Sequence, residues 1–175
     1  MPPRYHHGDL RRALMQAALT RIDGGGLQGF SMSNLARDVG VSSGAPYRHF
    51  ADKTALLNAI ALEALELLFA MQAAETEAVA DSPLQVFRAQ GVAYVLFALR
   101  HPAHFRVMCA PELLDVAAHP KLAPLLHSNN DAADALMAQA QQQGEVDPTH
   151  PAAATLTAQA TMYGLARLFV DGRLS

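Results

Sequence analysis

The sequence predicts an all-α fold: an N-terminal three-helix head containing a helix-turn-helix, joined by a long helix to a larger C-terminal helical domain. Three observations carry this. Of the 175 residues, 51% are apolar, enough to fill a substantial core. Aromatic residues are only 6% and Trp is absent, while Ala and Leu recur throughout, which favours helices packed through small residues over sheets. Gly, Pro, Ser and Asp also punctuate the chain where helices would start and stop.

The elements follow in order. Gly8-Asp9 precedes LRRALMQAALTRI, where Leu10, Leu14, Ala17, Ala18 and Ile22 recur at helical spacing before Gly24-Gly25-Gly26 ends the run. Ser31 has the chemistry to cap a second helix whose inner face is Leu35, Ala36 and Val39, and Gly40 turns the chain. Ser42 or Ser43 opens a third short helix, completing the helix-turn-helix. Pro46 has no amide hydrogen to donate back to Ser42, so this helix is expected to start at Ser43 or later.

Asp52 can cap a long helix from Lys53, with Leu56, Leu57, Ile60, Leu65, Leu68 and Phe69 as its apolar stripe. Its stretch from Leu56 to Ala74 is apolar enough to suggest a membrane span, but Asn58, Glu63, Glu66 and Gln72 interrupt it, so none is expected. Ser82-Pro83 and His101-Pro102 start helices running to about Arg100 and Cys109, and Pro111 interrupts the chain again. The last two helices run from about Lys121 to Gln143 and from about Thr149 to Asp171, stopped by Gly144 and Gly172. The expected division is residues 1–54 for the head and 55–175 for the remainder.

A net charge of -3 conceals an asymmetry. Residues 1–54 hold seven Lys or Arg against four Asp, a net +3, and the remaining six basic and 12 acidic residues give -6. The basic end therefore suits a polyanionic partner. Within it, VSSGAPYRHFADK (41–53) gathers Tyr47, Arg48, His49 and Lys53 on a short segment with little reason to face a core. Cys109 is the only cysteine, which excludes an internal disulfide, and nothing at the N-terminus resembles a secretion signal; a cytoplasmic protein is expected.

Residues 27–57, LQGFSMSNLARDVGVSSGAPYRHFADKTALL, resemble the DNA-binding region of the TetR/AcrR transcriptional regulators. Phe30, Leu35, Ala36, Val39, Gly40, Val41, Tyr47, Phe50, Lys53 and Leu56 fall where that family's signature has matching residues, and YHHGDLR at 5–11 resembles the N-terminus of one branch. Pro46 departs from the commonest pattern, which has a larger aliphatic residue there, although one branch shares the Ala-Pro-Tyr run. Physical reasons accompany the match: Phe30, Leu35, Val39, Val41 and Phe50 have the spacing to close a small core, and Gly40 permits a turn that a Cβ would hinder.

The resemblance implies a double-stranded DNA operator as partner. Ser42, Ser43, Tyr47, His49 and Lys53 then offer phosphate contacts, while Ser43, Gly44, Ala45 and Arg48 stand near base edges. Arg48 alone offers a bidentate fork for guanine, and Ala45 suits a thymine methyl. Tyr5, His6 and His7 form a candidate arm on the DNA backbone.

The family also implies a small ligand among the central C-terminal helices and a homodimer through the last two. Tyr94, Phe97, Phe105, Met108, Cys109, Met137 and Met162 are the candidate pocket, suited to an apolar ligand, with an ordinary core as the alternative. Ala133, Leu136, Ala140, Leu156, Ala160, Gly164 and Leu168 are the candidate dimer contacts, being small or aliphatic enough for close helix packing. A dimer would set two heads about 34–36 Å apart, in successive major grooves. Ligand binding would select one tilt of the long helix and so change that spacing.

Other classes lack their chemistry. His101 and His104, or His6 and His7, provide no set of three or four converging metal ligands, and no metal or cofactor is expected. Gly24-Gly25-Gly26 follows a helix and has no Lys-Ser/Thr sequel, so it is no phosphate loop; with no nucleophile–base pair visible either, an enzyme is not expected. Two alternatives stay open: a DNA-binding or scaffolding protein of the same fold governed by a protein partner, and a helical interaction module without a DNA role.

Overall fold

Short-range chemistry at each helix end explains where the helices lie. The computed structural model describes residues 7–79, 81–117, 119–147 and 151–174, and within them the side chains of all but 7–9, 128–130 and 151–152. Tyr5, His6 and Thr149 lie outside the described residues. The chain divides into two compact units, residues 1–63 with 103–119, and residues 64–102 with 120–175.

In the first unit, α1 (His7–Gly25) packs against α2 (Met32–Val39). Ser31 caps α2 by accepting from the Asn34 amide at 3.2 Å. Gly40 ends it at φ +77°, a left-handed conformation that a side chain would strain. Its N–H bonds Arg37 O at 3.2 Å and the Val41 N–H bonds Ala36 O at 2.9 Å, satisfying two carbonyls of the last turn. Leu14, Ala18, Ile22 and Leu35 are fully buried, with Phe30 and Phe50 nearly so.

Helix α3 (Lys53–Thr76) opens on Asp52, whose carboxylate accepts from the Ala55 amide at 2.7 Å. It passes from the first unit into the second at Glu63-Ala64. Together with the turn that follows it, Lys53–Val79 is long and apolar enough to cross a membrane. Half of its most apolar window is nevertheless buried inside the fold, as in a core helix.

Helix α5 (Pro102–Met108) and the chain to residue 119 complete the first unit, with Phe105 and Val107 fully buried. Asn58, 5% exposed, fixes this segment: its amide nitrogen donates to Asp115 O at 2.9 Å, and its oxygen accepts from Asp115 N at 3.1 Å. Both hydrogen-bonding faces of the carboxamide are thereby used, so burial leaves no orphan.

The second unit is built on α4 (Pro83–Arg100), which packs against α7 (Pro151–Val170) and α6 (Leu122–Gln142); α6 and α7 also touch. Ser82 caps α4 by accepting from Gln85 N at 3.2 Å. Glu145 places a carboxylate at the same helix start, accepting from Ser82 Oγ and Leu84 N, each at 2.8 Å. Phe97, Ala93, Ala98, Leu122, Ala140 and Ala166 have no more than a trace of exposure. These alanines permit the close helix approach expected from the composition.

Candidate nucleic-acid interface

The segment after Gly40 forms no extended helix. Ala45 N bonds Ser42 O at 3.0 Å, Arg48 N bonds Ala45 O at 3.2 Å, and a single 3-10 turn spans Pro46–Arg48 with Ala45 as its cap. Pro46 stands in the first turn, where its missing N–H costs nothing, and helical structure accordingly begins later than Ser43. Phe50 N returns to Pro46 O at 3.0 Å, and Phe50 inserts into the core. Buried Pro46 and Phe50 pin the segment at its middle and at its end, while its outer side stays open.

That outer side carries Ser42, Ser43, Gly44, Tyr47 and Arg48, all exposed, with Tyr47 at 53%. Ala45 and His49 are half-buried. Hydroxyl, phenol and guanidinium groups therefore share one short surface segment, a donor-rich arrangement suited to phosphate oxygens and base edges.

Lys53 is used differently from the expectation of a free phosphate contact. Its Nζ donates to Leu27 O at 3.0 Å and Phe30 O at 3.2 Å and lies 4.2 Å from the centroid of the Phe30 ring. Burial lowers its pKa from 10.5. The ammonium thus ties the start of α3 to the loop between α1 and α2, while one of its three hydrogens remains for another partner. Arg21 makes a bidentate pair with Asp38, one arm at 2.8 Å, and so anchors α2 to α1 behind the exposed segment. That hydrogen bond holds the Asp38 carboxyl below its usual range.

The second unit contains a cavity of about 220 Å³. Its wall takes Gln72 from α3, Phe87, Gln90, Gly91 and Tyr94 from α4, Ala133 from α6, and Gln159, Met162 and Tyr163 from α7. Tyr94 and Met162 of the candidate pocket set stand here. Phe97 is fully buried and Met137 is 5% exposed, neither on the cavity wall, while Phe105, Met108 and Cys109 belong to the other unit. Gly91 and the three glutamines escaped the sequence reading. A glycine within a helical run was the available signal for the first.

Among the candidate dimer contacts, Leu156 is 67% exposed and Leu168 37%, Ala160 is exposed, Ala133, Leu136 and Gly164 are half-buried, and Ala140 is consumed inside the unit. Tyr163, seven residues after Leu156, extends the same exposed face. Among the described residues, no three His, Cys, Asp or Glu side chains gather as a metal site. His101 stacks near Phe97, with centroids 5.5 Å apart, and His104 faces Glu63 at 3.7 Å.

Comparison with known proteins gives this geometry its context. Residues 14–60 match the family model described as bacterial regulatory proteins, tetR family, and residues 87–175 match the tetracyclin repressor-like C-terminal domain. The HTH-type transcriptional regulator BetI of Burkholderia thailandensis is 34% identical over 88 residues, covering 50% of this chain and 45% of that protein. The match thus spans about half the length of that curated relative.

A structure from Rhodococcus sp. RHA1, of a protein of unknown function, is 33% identical with a TM-score of 0.71, covering 97% of this chain and 87% of that one. AibR, solved with isovaleryl coenzyme A and operator DNA, shares the fold at TM-score 0.75 and 20% identity, covering 94% of this chain and 95% of that one. With a helix-turn-helix head and a C-terminal domain that each match the family's models, the chain belongs to the TetR family of transcriptional regulators, a family of DNA-binding proteins and not of enzymes.

Proposed function

We propose that the chain is a ligand-responsive repressor that binds a palindromic operator as a cytoplasmic homodimer. The observation that carries this reading is the exposed Ser42–Arg48 segment, held on a packed head by Pro46 and Phe50. Arg48 is the base-reading residue; Ser42, Ser43, Tyr47 and His49 meet phosphates, with Gly44 and Ala45 close to the groove floor. Lys53 contributes its remaining hydrogen and its charge from the edge.

Residues 1–54 carry DNA binding and the helices after them carry ligand binding and dimerisation. The exposed apolar face of α7 supports a two-fold helical interface, and the cavity favours a small ligand over control by a protein partner alone. AibR, solved with a thioester ligand and operator DNA, supports the same reading by analogy.

Fluorescence anisotropy with the DNA upstream of its own gene and a scrambled duplex, across a salt series, tests the reading. Specific binding that weakens with salt is expected. Arg48→Ala should cost about 1–3 kcal/mol and relax preference at one base position, and Tyr47→Ala should weaken binding to all sequences alike. Absence of binding to either duplex at low salt, by folded dimeric protein, would overturn the proposal.

A further inference from the structure

We propose that the cavity of the second unit takes an uncharged, ring-sized ligand bearing both hydrogen-bond donors and acceptors, such as a carboxamide, lactam or phenol. The inference deepens the ligand-responsive reading and rests on it. Among the described wall residues, every polar side chain is neutral: the carboxamides of Gln72, Gln90 and Gln159 and the phenols of Tyr94 and Tyr163. Each carboxamide presents two N–H donors and a carbonyl acceptor, so a ligand group able to give and to accept is matched on both counts. A carboxylate, phosphate or ammonium entering this wall would lose water and meet no opposite charge, a loss that hydrogen bonds from neutral groups do not repay.

Size narrows the class. A volume of about 220 Å³ lies below the roughly 300–1,000 Å³ typical of sites for drug-sized ligands and suits a binding group of one or two rings. Gly91 and Met162 meet on the cavity wall. A Cβ built on it would lie 2.0 Å from Met162 Sδ, so Met162 rests against bare α4 backbone. This close approach accounts for a glycine inside a helix, where alanine forms helix better. An added methyl would drive the flexible Met162 side chain off α4 and into the cavity.

The test uses protein carrying ¹³C methionine methyls, with the Met162 resonance assigned through Met162→Leu. It is titrated at neutral pH with benzamide, benzoate and benzylamine, three probes of one shape and different charge. Benzamide should shift the Met162 resonance saturably, with the charged probes about tenfold weaker or more. Gly91→Ala should displace the Met162 resonance before any probe is added and lower benzamide affinity about tenfold, and Gln90→Leu should lower it in the same direction.

Equal binding of a charged probe, no binding by any probe, or wild-type benzamide affinity in both variants would overturn the neutral class. Operator anisotropy on the same samples separates the two readings. A charged probe that occupies the cavity and releases DNA keeps ligand response and retires the neutral class. Benzamide that binds beside Met162 without changing operator affinity keeps the neutral class and counts against ligand response.

Discussion

Residues 42–48 and helix α7 both meet solvent, with opposite chemistry. The first exposes two hydroxyls, a phenol and a guanidinium over a core closed by Phe30, Leu35 and Phe50. The second exposes Leu156, Tyr163, Leu165 and Leu168, although Thr155, Ala166 and Val170 of the same helix are buried. Exposed polar groups are satisfied by water, so the head needs no covering surface to be stable. Apolar area left in water carries a standing penalty that only a covering surface removes. The contrast teaches that the exposed segment of the head is specified by backbone caps inside the chain, whereas the exposed apolar residues of α7 find no covering surface within the described residues of the chain.

Charging the apolar face breaks that contrast with the largest expected effect. If α7 forms the proposed dimer, Leu156→Asp combined with Leu168→Asp should yield a folded monomer by light scattering. Operator affinity should fall roughly 10²–10⁴-fold, because the second head no longer binds at high effective concentration. A monomer that kept full affinity would show that the two surfaces work independently.

A smaller effect separates the first unit's exposed polar groups from its buried ones. Asn58→Ala removes both buried hydrogen bonds to Asp115 and should destabilise the protein by about 1–3 kcal/mol in urea unfolding. Unchanged stability would mean that water replaces the carboxamide.

The smallest effect appears in acid. Because the Arg21 hydrogen bond lowers the Asp38 carboxyl from 3.8, the pair's contribution is complete above that value and is lost as pH falls through the lower folded value. Asp38→Asn should therefore flatten the acid end of the stability profile while leaving neutral-pH stability nearly unchanged, as expected for a solvent-exposed pair. Urea midpoints across that range are the measurement, and identical acid slopes would remove the pair's role.

The sequence was legible wherever cause and effect lie within a few residues. Ser31, Asp52 and Ser82 each accept from an amide three positions on, and Gly26, Gly40, Gly144 and Gly172 each take the positive φ that ends a helix. Pro46 likewise foretold a late start, although not that only one 3-10 turn would follow. Distant partners were hidden. Lys53 reads as a surface cation until the carbonyls 26 and 23 residues earlier claim it. Asn58 reads as an interruption in an apolar stripe until Asp115, 57 residues later, completes its bonds. The glutamines of the cavity escaped for a related reason: amphipathic pattern assigns Gln to solvent, and only the packing of α3, α4 and α7 turns three of them onto one wall.

The clasp between Asn58 and Asp115 has a consequence for biosynthesis. A ribosome releases the N-terminus first, so α1, α2 and the start of α3 emerge while residue 115 is still untranslated. Until then the Asn58 carboxamide lacks its backbone partner, and Asp23 lacks Arg106, which reaches it at 3.3 Å in the finished protein. A nonsense mutation between residues 64 and 102 would therefore yield a polypeptide containing the whole helix-turn-helix but not the segment that completes its unit. Such truncated products should be proteolysed before they compete for DNA.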